Sequence, residues 1–209
     1  MTAQKAPGRR RAVQARSKAT VQKILDAAIQ LMIEKGAERI TMTEIAQRAD
    51  LVIGSLYQYF SDKAAIHRAI LLHHHADVRL MLHNFLAPVR SIDELTAATE
   101  LVFDQYFDLH QRDPLFNAIW SVVQTDAELQ KLDLEDTLQN ARFLQGLLLP
   151  LLPGADADRA LTTCTMLIQF STVAGRFARA LPAPLAAHVR PAFQQMLRDA
   201  MRAVQAPPA

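Results

Sequence analysis

The sequence predicts an all-α fold, and three observations support this prediction. Half of the 209 residues are hydrophobic, only six are glycine, and polar and apolar residues never alternate for long, which disfavours β-strands. Apolar residues instead recur every three or four positions, the spacing of one helix face. Prolines and capping residues divide these periodic segments into about nine helices. The longest apolar stretch, 147–152, is too short to span a bilayer, so we expect no membrane partner.

The chain begins with a segment, 1–16, that lacks apolar periodicity and contains a Pro-Gly pair and several basic residues. We therefore expect a flexible basic arm. The first predicted helix begins at Ser17, because apolar residues from Val21 to Met32 follow one helix face. Gly36 stands where the left-handed C-cap of a helix is usual.

Residues 41–60 have the pattern of a helix-turn-helix. The run Thr41-Met42-Thr43-Glu44 has the form of a capping box with Thr41 as N-cap, so a short helix begins there. Asp50–Val52 are expected to form a tight turn, and Ile53–Phe60 a second short helix. The small core between the two helices is expected to contain Ile45, Ala46, Ala49, Leu51, Leu56 and Phe60.

This motif completes an N-terminal three-helix domain that we place at 17–62, and 63–209 is expected to form a second helical domain. Its predicted helices run from Lys63 to about Leu86, from Ser91 to about Gln111, from Pro114 onward, through Leu134 to Leu149, from Asp156 to about Ala180, and from Pro191 to about Val204. A short helical turn precedes Pro191, where we expect a break or a kink because proline lacks an amide hydrogen.

Charge is distributed unevenly along the chain. Residues 1–63 hold 11 Lys/Arg and 6 Asp/Glu, net +5, whereas residues 64–209 hold 12 and 15, net −3. A basic N-terminal part suggests a polyanionic partner such as double-stranded DNA. The single cysteine, Cys164, excludes an intrachain disulfide and fits a reducing cytoplasm. The N-terminal arginines are not followed by the apolar segment of a secretory signal.

The second short helix and its flanks resemble the DNA-binding head of the tetracycline-repressor (TetR) family in the run Leu51-Val52-Ile53-Gly54-Ser55-Leu56-Tyr57-Gln58-Tyr59-Phe60-Ser61-Asp62-Lys63. The shared features are a glycine, a small residue, Leu-Tyr, a Phe after two variable residues, and a lysine three positions on. Residues 40–46 match the family's preceding helix, and the resemblance covers about 17–78. The sequence departs from the family at Asp50, often glycine, and at Val52, often a Ser or Thr cap. Asp50 is therefore a candidate cap for the second helix.

The resemblance implies that the second helix lies in the major groove of DNA. Ser55 and Gln58 would then hydrogen-bond base edges. Val52 and Ile53 would contact thymine methyl groups. Phosphate contacts are implied for Thr41, Thr43, Tyr57, Tyr59 and Lys63. Minor-groove or backbone contacts are expected from Arg9, Arg10, Arg11, Arg16 and Lys18. The alternatives are that the tyrosines only pack, that Gln58 is solvated, and that the arm is a disordered solubilising tail.

The resemblance also implies that residues 63–209 bind a small-molecule effector. Aromatic side chains are the usual walls of such a site, and Trp120 is the foremost candidate. The full set is Trp120, Phe103, Tyr106, Phe107, Phe116, Phe143 and Phe170. The alternative is that these residues form an ordinary helical core.

Two polar clusters in this domain have alternative interpretations. Consecutive histidines at 73–75 point in different directions on a helix, and no carboxylate or cysteine completes a ligand set, so we expect no metal and no cofactor. Glu100, Asp104 and Asp108 recur at four-residue spacing and form either a solvated face or a site for a cationic ligand. Cys164 has no nearby basic partner in sequence and is expected to be an inert buried thiol.

The last two long helices carry more apolar residues than a terminal hairpin needs. Two copies are therefore expected to pack as a four-helix interface and form a homodimer. We predict a transcriptional regulator, most simply a repressor that a ligand releases from a palindromic operator. The alternative is an architectural or partner-controlled DNA binder whose C-terminal domain only dimerises. No Ser/His/Asp, Cys/His or metal-ligand set supports an enzyme.

Overall fold

The computed structural model describes residues 7–205, with side chains from 14 to 204. Within these residues the chain forms nine α-helices and no β-strand, so the prediction of an all-α fold is confirmed. The helices are α1 (Pro7–Lys35), α2 (Met42–Arg48), α3 (Ile53–Tyr57), α4 (Lys63–Leu86), α5 (Ile92–Arg112), α6 (Pro114–Val123), α7 (Ala127–Leu148), α8 (Ala157–Ala180) and α9 (Ala183–Gln205). None of these described helices is long and apolar enough to cross a membrane.

The chain divides into two compact units. The first, which we call the head, contains the described residues up to His73 together with Ala118–Thr125. The second, the lobe, contains His74–Asn117 and the described residues from Asp126 onward. Two of the three divisions fall inside α4 and inside α6, so each of these two helices contributes residues to both units. The third falls between α6 and α7.

Helix α1 begins at Pro7 and not at Ser17, where the sequence predicted the first helix. Proline is favoured at the first helical position, and the arginine, alanine and glutamine residues that follow have high helix propensity. A helix therefore forms there without the apolar periodicity on which the prediction relied. Arg9, Arg10 and Arg11 belong to this helix, but their side chains lie outside the described residues, as does the whole of 1–6.

The head is built around a small apolar core beneath the helix-turn-helix. Gly36 ends α1 with a φ of 84°, as predicted, and its amide donates to the Met32 carbonyl at 2.9 Å. Helix α3 ends at Tyr57 rather than Phe60, although the Phe60 amide still donates to the Leu56 carbonyl at 3.0 Å. Of the predicted core residues, Ile45, Ala46, Ala49 and Leu56 are buried, and Leu51 and Phe60 are half-buried.

The lobe has its own core, in which α8 packs against α5, α7 and α9. Its larger buried members include Leu95, Phe103, Phe107, Leu144, Leu148, Leu167, Phe193, Leu197 and Met201. Cys164 is fully buried among them, and this burial raises the pKa of its thiol to about 12. A thiol that stays protonated at neutral pH is unreactive, which fits the prediction of an inert core residue.

Helix α9 continues through Pro191, so the prediction of a break at that residue is wrong. Proline removes one hydrogen bond, to the carbonyl of Ala187, but both residues are exposed and water can satisfy that carbonyl. Beyond the proline, Phe193, Leu197 and Met201 are buried at helical spacing. Their packing against the lobe core maintains the helix despite the lost bond.

Candidate nucleic-acid interface and ligand site

The start of α2 is fixed by a complete capping box. Thr41 Oγ1 accepts a hydrogen bond from the Glu44 amide at 3.3 Å, and the Thr41 amide donates to Glu44 Oε2 at 3.0 Å. Lys35 Nζ lies 2.6 Å from Glu44 Oε1, and hydrogen bonds from Lys35 and then Thr41 lower the pKa of Glu44. The Thr41 hydroxyl also donates to Glu44, at 2.9 Å. The Thr43 side chain is exposed and makes no hydrogen bond within the described chain, so it is the freer of the two threonine side chains expected to contact phosphate.

The turn of the helix-turn-helix depends on a left-handed residue, Asp50, whose φ is 55°. The Asp50 amide donates to the Gln47 carbonyl at 3.2 Å and the Leu51 amide to the Ala46 carbonyl at 2.9 Å. These two bonds form a Schellman motif, in which glycine is the usual residue at the left-handed position. Aspartate tolerates that conformation better than most residues do, which explains how the departure from the family pattern is accommodated.

The N-terminus of α3 has no side-chain cap. Val52 is the N-cap residue, and no side chain, Asp50 included, hydrogen-bonds to the first amides of the helix. The expectation that Asp50 caps α3 is therefore wrong, because its left-handed backbone ends α2 and its side chain does not bond to α3. The uncapped end leaves its first amides available to an anion such as a DNA phosphate.

The surface of α3 and the residues that flank it present the predicted base-reading residues and the two tyrosines predicted to contact phosphates. Val52 is 76% exposed and Tyr57 is 53% exposed. Ile53, Gln58 and Tyr59 are also exposed, Ser55 is half-buried, and Leu56 alone is buried. The head thus keeps one large side chain of α3 in its core and leaves the predicted set at the surface.

A second ion pair holds α2 against α1. Both terminal nitrogens of Arg48 donate to the Glu34 carboxylate, at 2.9 and 2.8 Å, and the Arg48 bond is the main cause of the lowered pKa of Glu34. This pair was not predicted from the sequence, since its members lie on different helices with no local motif. The role of Arg48 is therefore structural: it joins α2 to α1.

Lys63 is also partly engaged inside the head. Its Nζ donates to the carbonyl of Glu38 at 2.7 Å, and an ammonium group keeps two further N–H donors for a phosphate. This bond fixes the short 3-10 turn before α2, where Arg39 is exposed. Arg39 is not among the residues predicted from the sequence, although a basic residue just before the N-cap of α2 was a usable signal. Arg16 and Lys18 are exposed on α1.

The aromatic residues expected to line a ligand site are divided by the fold. Phe103, Phe107 and Phe116 are buried in the lobe, and Tyr106 and Phe143 are half-buried there. Phe143 stacks on the ring of His83 at 4.0 Å. Phe170 is 43% exposed, so the expectation that it lines an internal site is not met, because it lies on the outer face of α8. Trp120 is half-buried and belongs to the head.

Four rings of the lobe contact one another and form what we call the ring cluster: His74, Tyr106, His110 and Phe116. His74 and Tyr106 meet the Phe116 ring edge-on, at 4.3 and 5.6 Å between centroids. His110 is 0% exposed, and neither of its ring nitrogens has a hydrogen-bond partner within the described chain. Burial lowers the pKa of His74 and of His110 to about 4. Both imidazoles are therefore neutral at physiological pH.

A buried polar network holds α4 to α7 within the lobe. His75 Nε2 lies 3.3 Å from Asp133 Oδ1, and Arg79 forms an ion pair with Asp136. Asn140 Nδ2 also donates to Asp136, at 2.8 Å. His75 is therefore hydrogen-bonded to Asp133 within this network, and no group of three potential metal ligands occurs in the part of the chain that the structure describes.

The acidic stripe of α5 is paired with α9. Glu100 lies 3.0 Å from Arg198 Nη1, and Asp104 accepts from Gln194 Nε2 at 3.0 Å. Asp108 forms an ion pair with Arg190, whose guanidinium lies 4.6 Å from the centre of the Phe107 ring. Neither alternative from the sequence holds, because these carboxylates are neither a purely solvated face nor free for a cationic ligand. They join two helices of the lobe.

Comparisons with known proteins match both parts of the chain. A family model described as bacterial regulatory proteins, tetR family, matches residues 24–70, which contain the helix-turn-helix. A second model, described as the tetracyclin repressor-like C-terminal domain, matches residues 93–199. The matched ranges cover both the exposed α3 surface and most of the lobe.

Individual relatives agree with these matches. An uncharacterized HTH-type transcriptional regulator of Bacillus subtilis, YvdT, is 34% identical over 92 residues, which cover 42% of this chain and 47% of the relative. A TetR-family regulator from Streptomyces coelicolor has a similar structure, with a TM-score of 0.69 and 19% identity over 91% of this chain and 99% of that one. SmeT, the repressor of a multidrug efflux pump of Stenotrophomonas maltophilia, gives a TM-score of 0.66 with 21% identity, covering 86% of this chain and 89% of SmeT.

Proposed function

We propose, from the premise that this chain belongs to the tetR family of bacterial regulatory proteins, that it is a transcriptional repressor released from a palindromic operator by a small molecule. As a family member it is a DNA-binding transcriptional regulator, and the family's fold is not that of an enzyme. The single observation that carries the proposal is the exposed surface of α3, held in place by the capping box and the Schellman turn. We propose that the protein is cytoplasmic, because the DNA that it binds lies in the cytoplasm of a bacterial cell.

The residues that we expect to contact DNA divide by chemistry into base readers and phosphate contacts. Gln58 and Ser55 carry the hydrogen-bonding groups that distinguish base edges in the major groove, and Val52 and Ile53 fit thymine methyl groups. Phosphates would be contacted by Thr43, Tyr57, Tyr59 and Lys63, with Arg39, Arg16 and Lys18 as further basic contacts. Thr41 would contribute through its position at the start of α2, since its hydroxyl proton is bound to Glu44.

The homodimer that we propose uses the outer face of α8. Met166, Phe170, Val173 and Phe177 follow one stripe of that helix, and all four are exposed in the single chain. A contiguous exposed apolar stripe is unusual on a monomer and is typical of an interface. Leu185 and Met196 of α9 are exposed as well. A second copy covering these residues would pack α8 and α9 of both chains together as a four-helix interface.

The signal that we propose is a ligand bound in the lobe. Helix α4 carries both Lys63 of the head and His74 of the ring cluster, so it contributes residues to both functions. A ligand that prefers a different position of α4 would favour a state in which the two heads of a dimer no longer match the operator. A ligand that binds both states equally would have no effect on DNA binding.

The experiment that tests this proposal is selection of genomic DNA fragments by the full-length protein. We expect enrichment of fragments that share a palindromic sequence with half-sites about one helical turn or more apart. A parallel selection with Gln58→Ala is expected to enrich a sequence relaxed at one position in each half-site. Lack of any shared palindrome among the enriched fragments would contradict the proposal.

The rival function is a DNA binder whose lobe only dimerises. This rival is supported by the extensive core and the interhelical ion pairs of residues 63–209, because a domain that only dimerises would need them as well. The two functions differ in whether any small molecule changes operator affinity. Displacement of the selected operator fragment by a compound that also binds the lobe would contradict the rival.

A further inference from the structure

We infer that the ring cluster is the recognition site for an uncharged aromatic ligand that carries a hydroxyl or carbonyl group. This inference rests on the proposed function, because it assigns the chemistry of the effector. It commits to residues that sequence analysis did not select, namely His74 and His110, and places them beside Tyr106 and Phe116.

His110 is buried, and both of its ring nitrogens lack a hydrogen-bond partner within the described chain. Buried polar atoms in proteins almost always have hydrogen-bond partners, so a side chain with two unsatisfied nitrogens requires an explanation. His110 Nδ1 and Nε2 are both without a partner, and the buried Nδ2 of Asn117, the residue after Phe116, is unpartnered too. A ligand with a hydroxyl or carbonyl group supplies the missing partner.

The His110 ring is also held rigidly in place. A Cβ built on Gly175 of α8 would lie only 2.8 Å from His110 Cγ, so the α8 backbone lies directly against the imidazole. Gln111 Nε2 donates to the Gly175 carbonyl at 2.8 Å, and Arg179 donates to the His110 carbonyl at 3.1 Å. A group fixed before binding loses little entropy when a ligand arrives, which favours tight recognition.

The arrangement of the four rings favours an aromatic ligand. The Phe116 ring lies at the centre of the cluster, with His110 4.5 Å away and His74 4.3 Å away between centroids. The Tyr106 ring meets His110 edge-on at 4.7 Å, and its hydroxyl lies 3.1 Å from Thr172 Oγ1. At these distances the four rings pack directly against one another through edge-on contacts, which aromatic rings prefer. A planar aromatic ligand that joins the cluster can extend these contacts with its own face and edge, which an aliphatic chain cannot do.

The charge of the two histidine side chains favours an uncharged ligand. Burial keeps the imidazoles of His74 and His110 unprotonated at neutral pH, so each offers one N–H donor and one nitrogen acceptor and no net charge. The charges of two arginines act on His110: Arg179 donates to the backbone carbonyl of His110, and Arg176 also has an interaction of its own. An ionised ligand would lose its hydration without gaining a counter-ion from these rings, whereas a neutral hydroxyl pairs with them directly.

The test is calorimetric titration of the full-length protein at pH 7.5 with three probes that share one ring system. These are 1-naphthol, 1-naphthoate and 1-naphthylmethylammonium, and only the first is uncharged. We expect 1-naphthol to bind and both charged probes to bind at least roughly tenfold more weakly. Failure of the wild-type protein to bind 1-naphthol, or equal binding of a charged probe, would overturn the inference.

Variants then locate the site. His110→Phe keeps a planar ring but removes both nitrogens, and we expect it to weaken 1-naphthol binding roughly tenfold. His74→Phe, at a half-buried position that tolerates substitution more readily, is expected to weaken binding by a smaller factor and serves if His110→Phe does not fold. The matched control is His83→Phe, the same change at an exposed ring that stacks on Phe143, and it should bind normally.

Operator release separates this inference from the proposed function. With the fragment recovered by selection, 1-naphthol is expected to lower operator affinity in the wild-type protein and in His83→Phe. Release by a charged probe but not by 1-naphthol would overturn the ligand class and leave the repressor function standing. If both His74→Phe and His110→Phe respond to 1-naphthol as the wild type does, the site is wrong. Failure of the chain to bind any fragment contradicts the proposed function, and calorimetry still decides the ligand class.

Discussion

The head and the lobe place their polar side chains in opposite ways. In the head, charged pairs such as Arg48–Glu34 lie at the surface, where they orient helices and lose little hydration. In the lobe, Asp136 and His110 are buried, and Asp136 is held by Arg79. A unit that meets the charged backbone of DNA benefits from hydrated, outward-facing groups, whereas recognition of a small molecule benefits from polar groups removed from water.

The difference also has an energetic consequence. A surface ion pair contributes little to folding, so changes to the outer face of the head should affect DNA binding more than stability. A buried polar group without its partner is costly, so changes in the lobe should affect stability more strongly. The predictions below test this contrast, from the largest expected effect to the smallest.

The largest expected effect is a loss of lobe stability on acidification. His110 has a pKa of about 4 in the folded chain and near 6.5 when unfolded, so the unfolded state binds more protons between these values. The contribution of His110 to the free energy of unfolding is therefore fully present above pH 6.5. It is lost as the pH falls toward 4, and the loss amounts to at most about 3 kcal/mol. Urea unfolding of the full chain at a series of pH values measures the slope.

Two histidine variants isolate the contribution of His110 from that of His74, whose pKa is also lowered to about 4, and from that of the carboxylates. His110→Phe should show a shallower loss of unfolding free energy between pH 6.5 and 4 than the wild type does. His83→Phe, at an exposed ring, should retain the wild-type slope. Equal slopes for wild type and His110→Phe would show that the buried imidazole does not titrate as described.

The next effect concerns the close approach of α8 to α5. Gly175→Ala would place a methyl group within 3 Å of three atoms of His110, including its Cβ, which cannot move without the backbone. We expect a destabilisation of about 2 kcal/mol, typical of overpacking a core. Gly146→Ala on α7 is the control, because nothing lies within 4 Å of its added Cβ. That change should stabilise the chain by about 0.5–1 kcal/mol through helix propensity, so the two variants should move the midpoint of thermal unfolding in opposite directions.

A smaller effect separates structure from DNA contact in the head. Thr41→Ala removes the N-cap of α2 and is expected to cost about 1 kcal/mol of stability. Thr43→Ala, two residues later on the same helix, should leave stability almost unchanged and weaken operator binding. Thermal unfolding and DNA titration of both variants measure the two properties. The reverse pattern would show that the roles of the two threonines are exchanged.

Most of the head was predictable because its signals are local. The capping box joins residues three positions apart, and Asp50 occupies a turn position where a left-handed backbone is needed. Such patterns depend on short-range geometry that the sequence itself encodes. The exception is the Arg48–Glu34 pair, which joins two helices and leaves no local pattern.

The lobe was less predictable because its defining contacts are distant in sequence. Asp104 and Gln194 are 90 residues apart, so nothing in the spacing of the acidic stripe could show that α9 pairs with it. The ring cluster likewise joins His74 of α4 to Phe116 of α6. Local rules also misjudged Pro191, because tertiary packing of α9 outweighs the missing hydrogen bond.

The most direct test of the central claim, that the head binds DNA through the surface of α3, is operator binding as a function of salt concentration. The double variant Tyr57→Ala/Lys63→Ala should bind all fragments at least roughly tenfold more weakly. Its plot of log affinity against log salt should be shallower by about one unit for each lost Lys63–phosphate contact. Lys131→Ala, which removes the same charge from an exposed position of α7, should match the wild type. Wild-type affinity and slope in the double variant would contradict the account.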